Sequence, residues 1–150
     1  MPEDTGSTYF RLFNEIGILA QLSRAIFEAR MPDGILVSHF SVLNHLIRVE
    51  DGRTPLELAR AFQVPKTTMT HTLAGLDAAG FIRMKPNVAD GRSKRVWITA
   101  AGRRFRNSSI AALAPELDDL AQEFAADRVA KILPELEALR KIMDRRRDRD

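Results

Sequence analysis

The sequence predicts a mainly α-helical chain with one small β-hairpin set in its middle. Two observations carry this. Apolar residues recur at three- and four-residue spacing through most of the chain, the period of a helix with one buried face. One stretch, residues 81–98, instead pairs two short strand-like runs across a segment rich in turn formers.

Taken in order, residues 9–30 read as the first helix, with Phe10, Phe13, Ile16, Ala20 and Phe27 on one face and Arg11, Glu15, Arg24 and Glu28 between them. Pro32-Asp33-Gly34 ends it. Ser38 is the expected N-cap of a helix over about 39–50, whose stripe is Phe40, Val42, Leu43, Leu46, Ile47 and Val49. Asp51-Gly52-Arg53 reads as a polar turn. Thr54-Pro55-Leu56-Glu57 then gives an N-cap, a proline at the first helical position and the acid of a capping box, opening a short helix to about Phe62. Gln63-Val64-Pro65 turns the chain into a further helix over 66–78, stopped by Gly80.

Phe81–Lys85 and Lys94–Ile98 are the expected strands, joined by a long polar tip over 86–93. Thr99 caps a long helix to about residue 124, bent near Pro115. A last helix over 127–145 carries Val129, Ile132, Leu133, Leu136, Leu139, Ile142 and Met143 on one face, and the charged end from Arg145 is expected to fray.

The composition is globular, with 45% apolar and 29% charged residues in a 150-residue chain, enough for about one domain. There is no cysteine, which excludes disulfides, thiol redox switching, a cysteine nucleophile and cysteine-ligated zinc. No run of 18 apolar residues is present, and Met1–Asp4 lack the order of a secretory leader, so no membrane association and a cytoplasmic location are expected. The charge is uneven. Residues 83–106 carry Arg83, Lys85, Arg92, Lys94, Arg95, Arg103, Arg104 and Arg106 against Asp90 alone, although the whole chain is only +3. A basic patch on an otherwise acidic body suits a polyanion met by one face; an unevenly charged, solvated surface is the plainer reading.

The order helix, short helix, tight turn, helix, hairpin narrows that choice. On the 66–78 helix, Met69, Leu73 and Leu76 cluster on one side, while Thr67, Thr70, His71 and Ala74 lie opposite, with Lys66 and Thr68 in the opening turn. An ordinary surface helix would carry Glu and Lys on its outer face; this one is short and polar there, and fits a major groove about 12 Å wide. In the hairpin, Asp90-Gly91-Arg92 is read as the tip, with Gly91 permitting the turn, Arg92 suited to a narrow minor groove, and Ser93, Lys94 and Arg95 placed for phosphates. Alone, Asp-Gly-Arg is also a common solvated turn. The order of elements points to a winged helix-turn-helix with a small β-hairpin wing.

Three segments, Leu76-Asp77-Ala78-Ala79-Gly80-Phe81-Ile82-Arg83, Asp90-Gly91-Arg92-Ser93-Lys94 and Ile98-Thr99-Ala100-Ala101-Gly102, resemble in order and spacing the signature of the MarR family of transcription regulators. The resemblance runs over residues 9–145. It implies one MarR-like chain over 1–150, with a dimerisation region over 9–35 and 105–145 and a winged helix-turn-helix over 36–104. It further implies that 66–78 is the groove-reading helix and Arg92 the wing arginine, supported by Asp90. A homodimer on a pseudo-palindromic operator is implied, usually a repressor, and in many members a small aromatic ligand binds between the lobes and releases the DNA. Phe13, Ile16, His39, Phe40 and Leu43 are the candidate ligand pocket, though the favoured reading of these residues is core.

The separation of two amphipathic regions by the whole hairpin module gives the dimer physical support. No cofactor and no metal are expected, because His39, His45 and His71 show no helical ligand pair. No catalytic arrangement is recognisable, so no enzyme is expected. The alternative function is a constitutive or architectural DNA-binding protein with no ligand sensing.

Overall fold

The computed structural model describes residues 4–149. The elements are α1 Thr5–Glu28, α2 Val37–Arg48, α3 Pro55–Phe62, α4 Lys66–Ala78, β1 Ile82–Asn87, β2 Asp90–Ile98, α5 Ala100–Ala111, α6 Ala114–Glu123 and α7 Ala126–Arg147. The mainly helical chain with an antiparallel β1–β2 hairpin is the expected fold class. It falls into two compact units that divide between Leu113 and Ala114, so α1 and α5 belong with the hairpin and α6 and α7 form the second unit. No helix of the described residues is long and apolar enough to cross a membrane.

The core of the first unit is built where apolar faces meet: Val42, Leu43 and Leu46 of α2, Leu58 and Ala59 of α3, Met69, Leu73 and Leu76 of α4, with Ile82 and Val96 of the hairpin beneath. Each fully buried leucine contributes about 1.5–3 kcal/mol. The α3 start forms as its sequence dictates: Thr54 Oγ1 accepts the Glu57 N–H at 3.2 Å, and Glu57 Oε1 accepts the Thr54 N–H at 3.2 Å. Burial pushes the Glu57 carboxyl up. Hydrogen bonds from Arg53 and Thr54, with the Arg53 charge, outweigh this and hold it below its ordinary value. Gln63, in the left-handed region at φ 52°, closes α3 and turns the chain into α4.

The first and last of the signature segments meet at one joint. Gly80 ends α4 at φ 77°. Thr99 Oγ1 donates to the Gly80 carbonyl at 2.7 Å and accepts the Gly102 N–H at 3.0 Å, while the Thr99 N–H donates to the Phe81 carbonyl at 3.0 Å. Gly102 packs against that same carbonyl so closely that a Cβ would overlap it. The threonine and two glycines thus fix how the strands leave α4 and enter α5.

Five expectations are corrected. The α1 helix begins four residues earlier than expected, behind Asp4. Ser38 is not the cap of α2; the chain enters at Leu36, whose N–H donates to His39 Nδ1 at 2.8 Å, so the imidazole does the capping and Ser38 lies inside the first turn. The turn at 51–53 is also an edge of the sheet, since Arg53 bridges to Val96, with the Val96 N–H donating to the Arg53 carbonyl at 2.7 Å. The long helix from Thr99 is two helices, broken at residues 112–113, because Pro115 lacks an N–H and belongs in the first turn of a new helix rather than inside a bent one. The α7 helix runs to Arg147, three residues into the stretch expected to fray from Arg145; Asp150 lies outside the described residues.

Candidate nucleic-acid interface

Helix α4 has two unlike faces. Met69, Thr72, Leu73 and Leu76 are buried, while Lys66, Thr67, Thr68, Thr70, His71 and Ala74 are exposed. The structure therefore brings all five expected helix residues to one accessible side. Its threonines are partly spoken for. Thr70 Oγ1 donates to the Lys66 carbonyl at 2.9 Å, and buried Thr72 Oγ1 donates to the Thr68 carbonyl at 3.1 Å. A hydroxyl that gives its proton to the backbone presents lone pairs and a methyl group outward. It suits an amino-group donor or an apolar edge better than a phosphate.

Helix α4 is held from behind by His39. The imidazole is buried against Gly75, where a Cβ would come within 2.7 Å of Nε2. Burial, then the charge of His71, keeps the His39 pKa below its ordinary value.

The hairpin differs from the expectation in a way that changes the wing. Its turn is Val88-Ala89, not Asp90-Gly91-Arg92, and both strands are longer than read from sequence. Asn87 pairs with Asp90 and Pro86 with Lys94, so Gly91, Arg92 and Ser93 are extra residues that bulge from β2. The positive-φ glycines among the described residues are Gly34, Gly52 and Gly80; the turn does not draw on Gly91. Arg92 is exposed, and its N–H donates to Asp90 Oδ1 at 3.0 Å, so the aspartate does hold the backbone from which the arginine projects.

The other wing residues divide. Lys94 is exposed, but Ser93 and Arg95 are half-buried and bonded within the hairpin. Ser93 Oγ donates to the Asp90 carbonyl at 3.3 Å. Arg95 donates to Asn87 Oδ1 at 3.2 Å and to the Gly52 carbonyl at 3.1 Å. Arg106 likewise turns inward, donating from Nε and Nη2 to Asn44 Oδ1 at 3.1 and 2.9 Å. The accessible cations of the basic segment are thus Arg83, Lys85, Arg92, Lys94, Arg103 and Arg104.

Sequence reading missed the anchor beneath the wing. Asp51 Oδ1 accepts the Ile98 N–H at 3.0 Å, and the Trp97 ring lies against Gly52, whose φ of 73° and lack of a Cβ allow both turn and stacking. The Asp51-Gly52 pair was the available signal, read as a turn and no more. Asn87, buried at the neck of the wing, was also missed.

The pocket candidates differ in burial. Phe40 and Leu43 are core, His39 is the α2 cap, Ile16 is half-buried and Phe13 is 43% exposed. Phe40 packs on Phe27 with ring centroids 5.0 Å apart. Among the described residues, no cluster of three or more His, Cys, Asp or Glu is disposed to hold a metal ion.

Comparison with known proteins agrees with this geometry. Residues 33–93 match the sequence model of the MarR family. The transcriptional regulator HosA of Escherichia coli O157:H7 is 27% identical over 114 residues, covering 76% of this chain and 80% of HosA. The crystal structure of the transcriptional regulator BldR from Sulfolobus solfataricus superposes with a TM-score of 0.74 at 22% identity, over 95% of this chain and 99% of BldR. A cysteine-to-serine variant of E. coli MarR, solved in complex with operator DNA, superposes with a TM-score of 0.68 at 23% identity, over 91% of this chain and 99% of that one. That family consists of transcription regulators, not enzymes. The chain is thus similar to MarR-family transcriptional regulators, in sequence over residues 33–93 and in fold over most of its length.

Proposed function

We propose that the chain binds double-stranded DNA as a homodimer on a pseudo-palindromic operator, acting as a repressor. The observation that carries this reading is the pairing of two features in one unit. One is an α4 outer face of small polar residues backed by a fully packed inner face; the other is a wing that presents exposed Arg92 from a bulge held by Asp90. Lys66, Thr67, Thr68, Thr70 and His71 enter the major groove, Arg92 meets the minor groove, and Lys94 meets phosphate. Ser93 and Arg95 shape the wing, and Asp90 holds it. The E. coli MarR variant with a similar fold binds operator DNA, which supports the reading. A cytoplasmic location follows from it.

The dimer rests on apolar faces left uncovered in a single chain. Tyr9, Phe10, Leu19 and Leu22 of α1, Leu117 and Leu120 of α6, and Ile132 and Leu133 of α7 are all exposed. A second copy that covers them gives a twofold dimer with reading helices about 34 Å apart, one DNA turn. The regions 9–35 and 105–145 are the dimerisation part of this reading and 36–104 the DNA-binding part.

Selection from a randomised duplex library tests the reading, with Arg92→Ala run alongside. An enriched inverted repeat, bound about 1–3 kcal/mol more weakly by the variant, is the expected result. No enrichment, or enrichment without twofold symmetry, would remove the operator-binding dimer.

Release by a small aromatic ligand, with Phe13, Ile16, His39, Phe40 and Leu43 near its site, belongs to the same proposal. The burial of Phe40 and Leu43 and the engagement of His39 favour a second reading, a constitutive DNA-binding protein. A thermal-shift screen with aromatic acids and phenols, followed by duplex affinity with each hit, separates the two. A compound that stabilises the chain and weakens duplex binding supports sensing; no such compound supports the constitutive form.

A further inference from the structure

The wing needs an internal scaffold that its turn residues do not supply. Two-residue hairpin loops ordinarily rely on positive φ, from Gly or Asn, to match the twist of the strands. Here the loop is Val88-Ala89, and among the described residues the positive-φ positions are Gln63, Gly34, Gly52 and Gly80. The loop is followed at once by the three-residue bulge that carries Arg92. Both irregularities are fastened by one buried carboxamide. On the turn side, Asn87 Oδ1 accepts the Ala89 N–H at 3.2 Å. On the bulge side, Asn87 Nδ2 donates to Ser93 Oγ at 3.0 Å, and Oδ1 also accepts from Arg95 Nε at 3.2 Å. Arg95 continues to the Gly52 carbonyl, which ties the network to the body of the domain. Asn87 is 8% exposed, whereas Val88 beside it is 103% exposed.

We propose that Asn87 is the positioning residue of the wing: its carboxamide fixes the turn and the bulge between which Arg92 is presented, and so sets duplex affinity through Arg92 from a place the duplex does not reach. This rests on the DNA-binding reading above. An Asx-type bond from side chain to the backbone two residues on supplies the bend that glycine would otherwise give. The bulge then re-aims the strand so that Arg92 leaves the sheet. Without the carboxamide, Ala89, Ser93 and Arg95 lose a shared partner, and Arg92 samples many directions instead of one.

A double-mutant cycle on the full chain tests this. Asn87→Ala, Arg92→Ala and the double variant are compared for affinity to the duplex that the unaltered chain selects from a randomised library. Asn87→Ala is expected to weaken binding about five- to tenfold, the effect of losing one or two net hydrogen bonds. In the Arg92→Ala background the same change is expected to weaken it by less than about twofold, because the two act as one unit. Asn87→Asp keeps both acceptor bonds, and at salt high enough to screen its added charge it should bind nearly as tightly as the unaltered chain does at that same salt. Without DNA, amide exchange at Ala89 and Arg92 should quicken in Asn87→Ala while the thermal midpoint stays near that of the unaltered chain. Equal losses in both backgrounds, or full affinity in Asn87→Ala, would overturn the proposal. If the unaltered chain selects no duplex, or Arg92→Ala binds as tightly, the DNA reading fails in arms where Asn87 is intact, and the proposal falls with it.

Discussion

His39 shows how one side chain can serve two elements. Its Nδ1 accepts the Leu36 N–H at the start of α2, and its Nε2 edge lies against Gly75 of α4. The Leu36 bond requires an unprotonated Nδ1, and burial, then His71, lowers the pKa of the ring. The unfolded chain therefore takes up this proton at higher pH than the folded one. The associated stability is present above the ordinary histidine pKa and is lost as pH falls through the depressed folded value. His39→Asn places an acceptor near the position of Nδ1 without titrating. Chemical denaturation at pH steps from about 7 to about 5 should show a steeper decline for the unaltered chain than for the variant. Parallel curves would remove His39 from the pH response. This role was not legible in the sequence, where a lone histidine near an apolar stripe suggested a ligand handle. Its cap depends on entry of the chain at Leu36, and its proximity to Gly75 depends on how α2 crosses α4.

At the scale of elements, what was legible follows from periodicity and from local chemistry. The outer face of α4 could be read because a 3.6-residue period places every residue once Met69, Leu73 and Leu76 are taken as core. The α3 cap could be read because its bonds run between near neighbours in sequence, Arg53, Thr54 and Glu57. The hairpin tip could not, because Asp90-Gly91 is the stronger local turn signal and only the Asn87 network makes Val88-Ala89 the loop. The break between α5 and α6 is not legible because a proline in a helical pattern reads as a kink as readily as a first-turn residue, which Pro115 is. The joint at Gly80, Thr99 and Gly102 offers a test at this scale. A Cβ at Gly102 meets the Phe81 carbonyl and the Ile98 side chain, and the carbonyl is itself bonded to the Thr99 N–H. Relief would require α5 to shift from the hairpin. Gly102→Ala is therefore expected to destabilise the first unit by about 1–3 kcal/mol, the range for overpacking, read as a lower urea midpoint. Gly91→Ala meets nothing within 4 Å and serves as the control. An unchanged midpoint in Gly102→Ala would mean that the joint yields more easily than its geometry indicates.

For the molecule as a whole, charge and apolar surface are separated along the chain. The accessible cations, Arg83, Lys85, Arg92, Lys94, Arg103 and Arg104, lie on the hairpin and the opening of α5, while residues 107–127 carry acids and no Lys or Arg. Duplex affinity is accordingly expected to fall steeply between about 50 and 200 mM salt as bound counterions are displaced. A flat response would remove phosphate contacts from the reading. The apolar surface sits elsewhere. Along α7, Val129, Ile132, Leu133, Leu136, Ile142 and Met143 recur at helical spacing, and each is 38–47% exposed. A stripe of that length left in water is unfavourable for a monomer, and residues at such spacing form one continuous face that a symmetric copy can cover. Leu136 lies in the middle of the stripe. Leu136→Asp would place a carboxylate in a desolvated interface without a partner, while in a monomer the same group would sit in solvent at little cost. The variant is therefore expected to sediment as a monomer, or to unfold where the unaltered chain is a stable dimer. The environment of Trp97, the single tryptophan and a residue of β2, reports in the same sample whether the winged part remains folded. A folded monomer should also lose most of its preference for paired half-sites, since one reading helix can no longer fix the position of the other. A stable dimer in Leu136→Asp would place the interface away from α7 and leave the exposed stripe to some other partner.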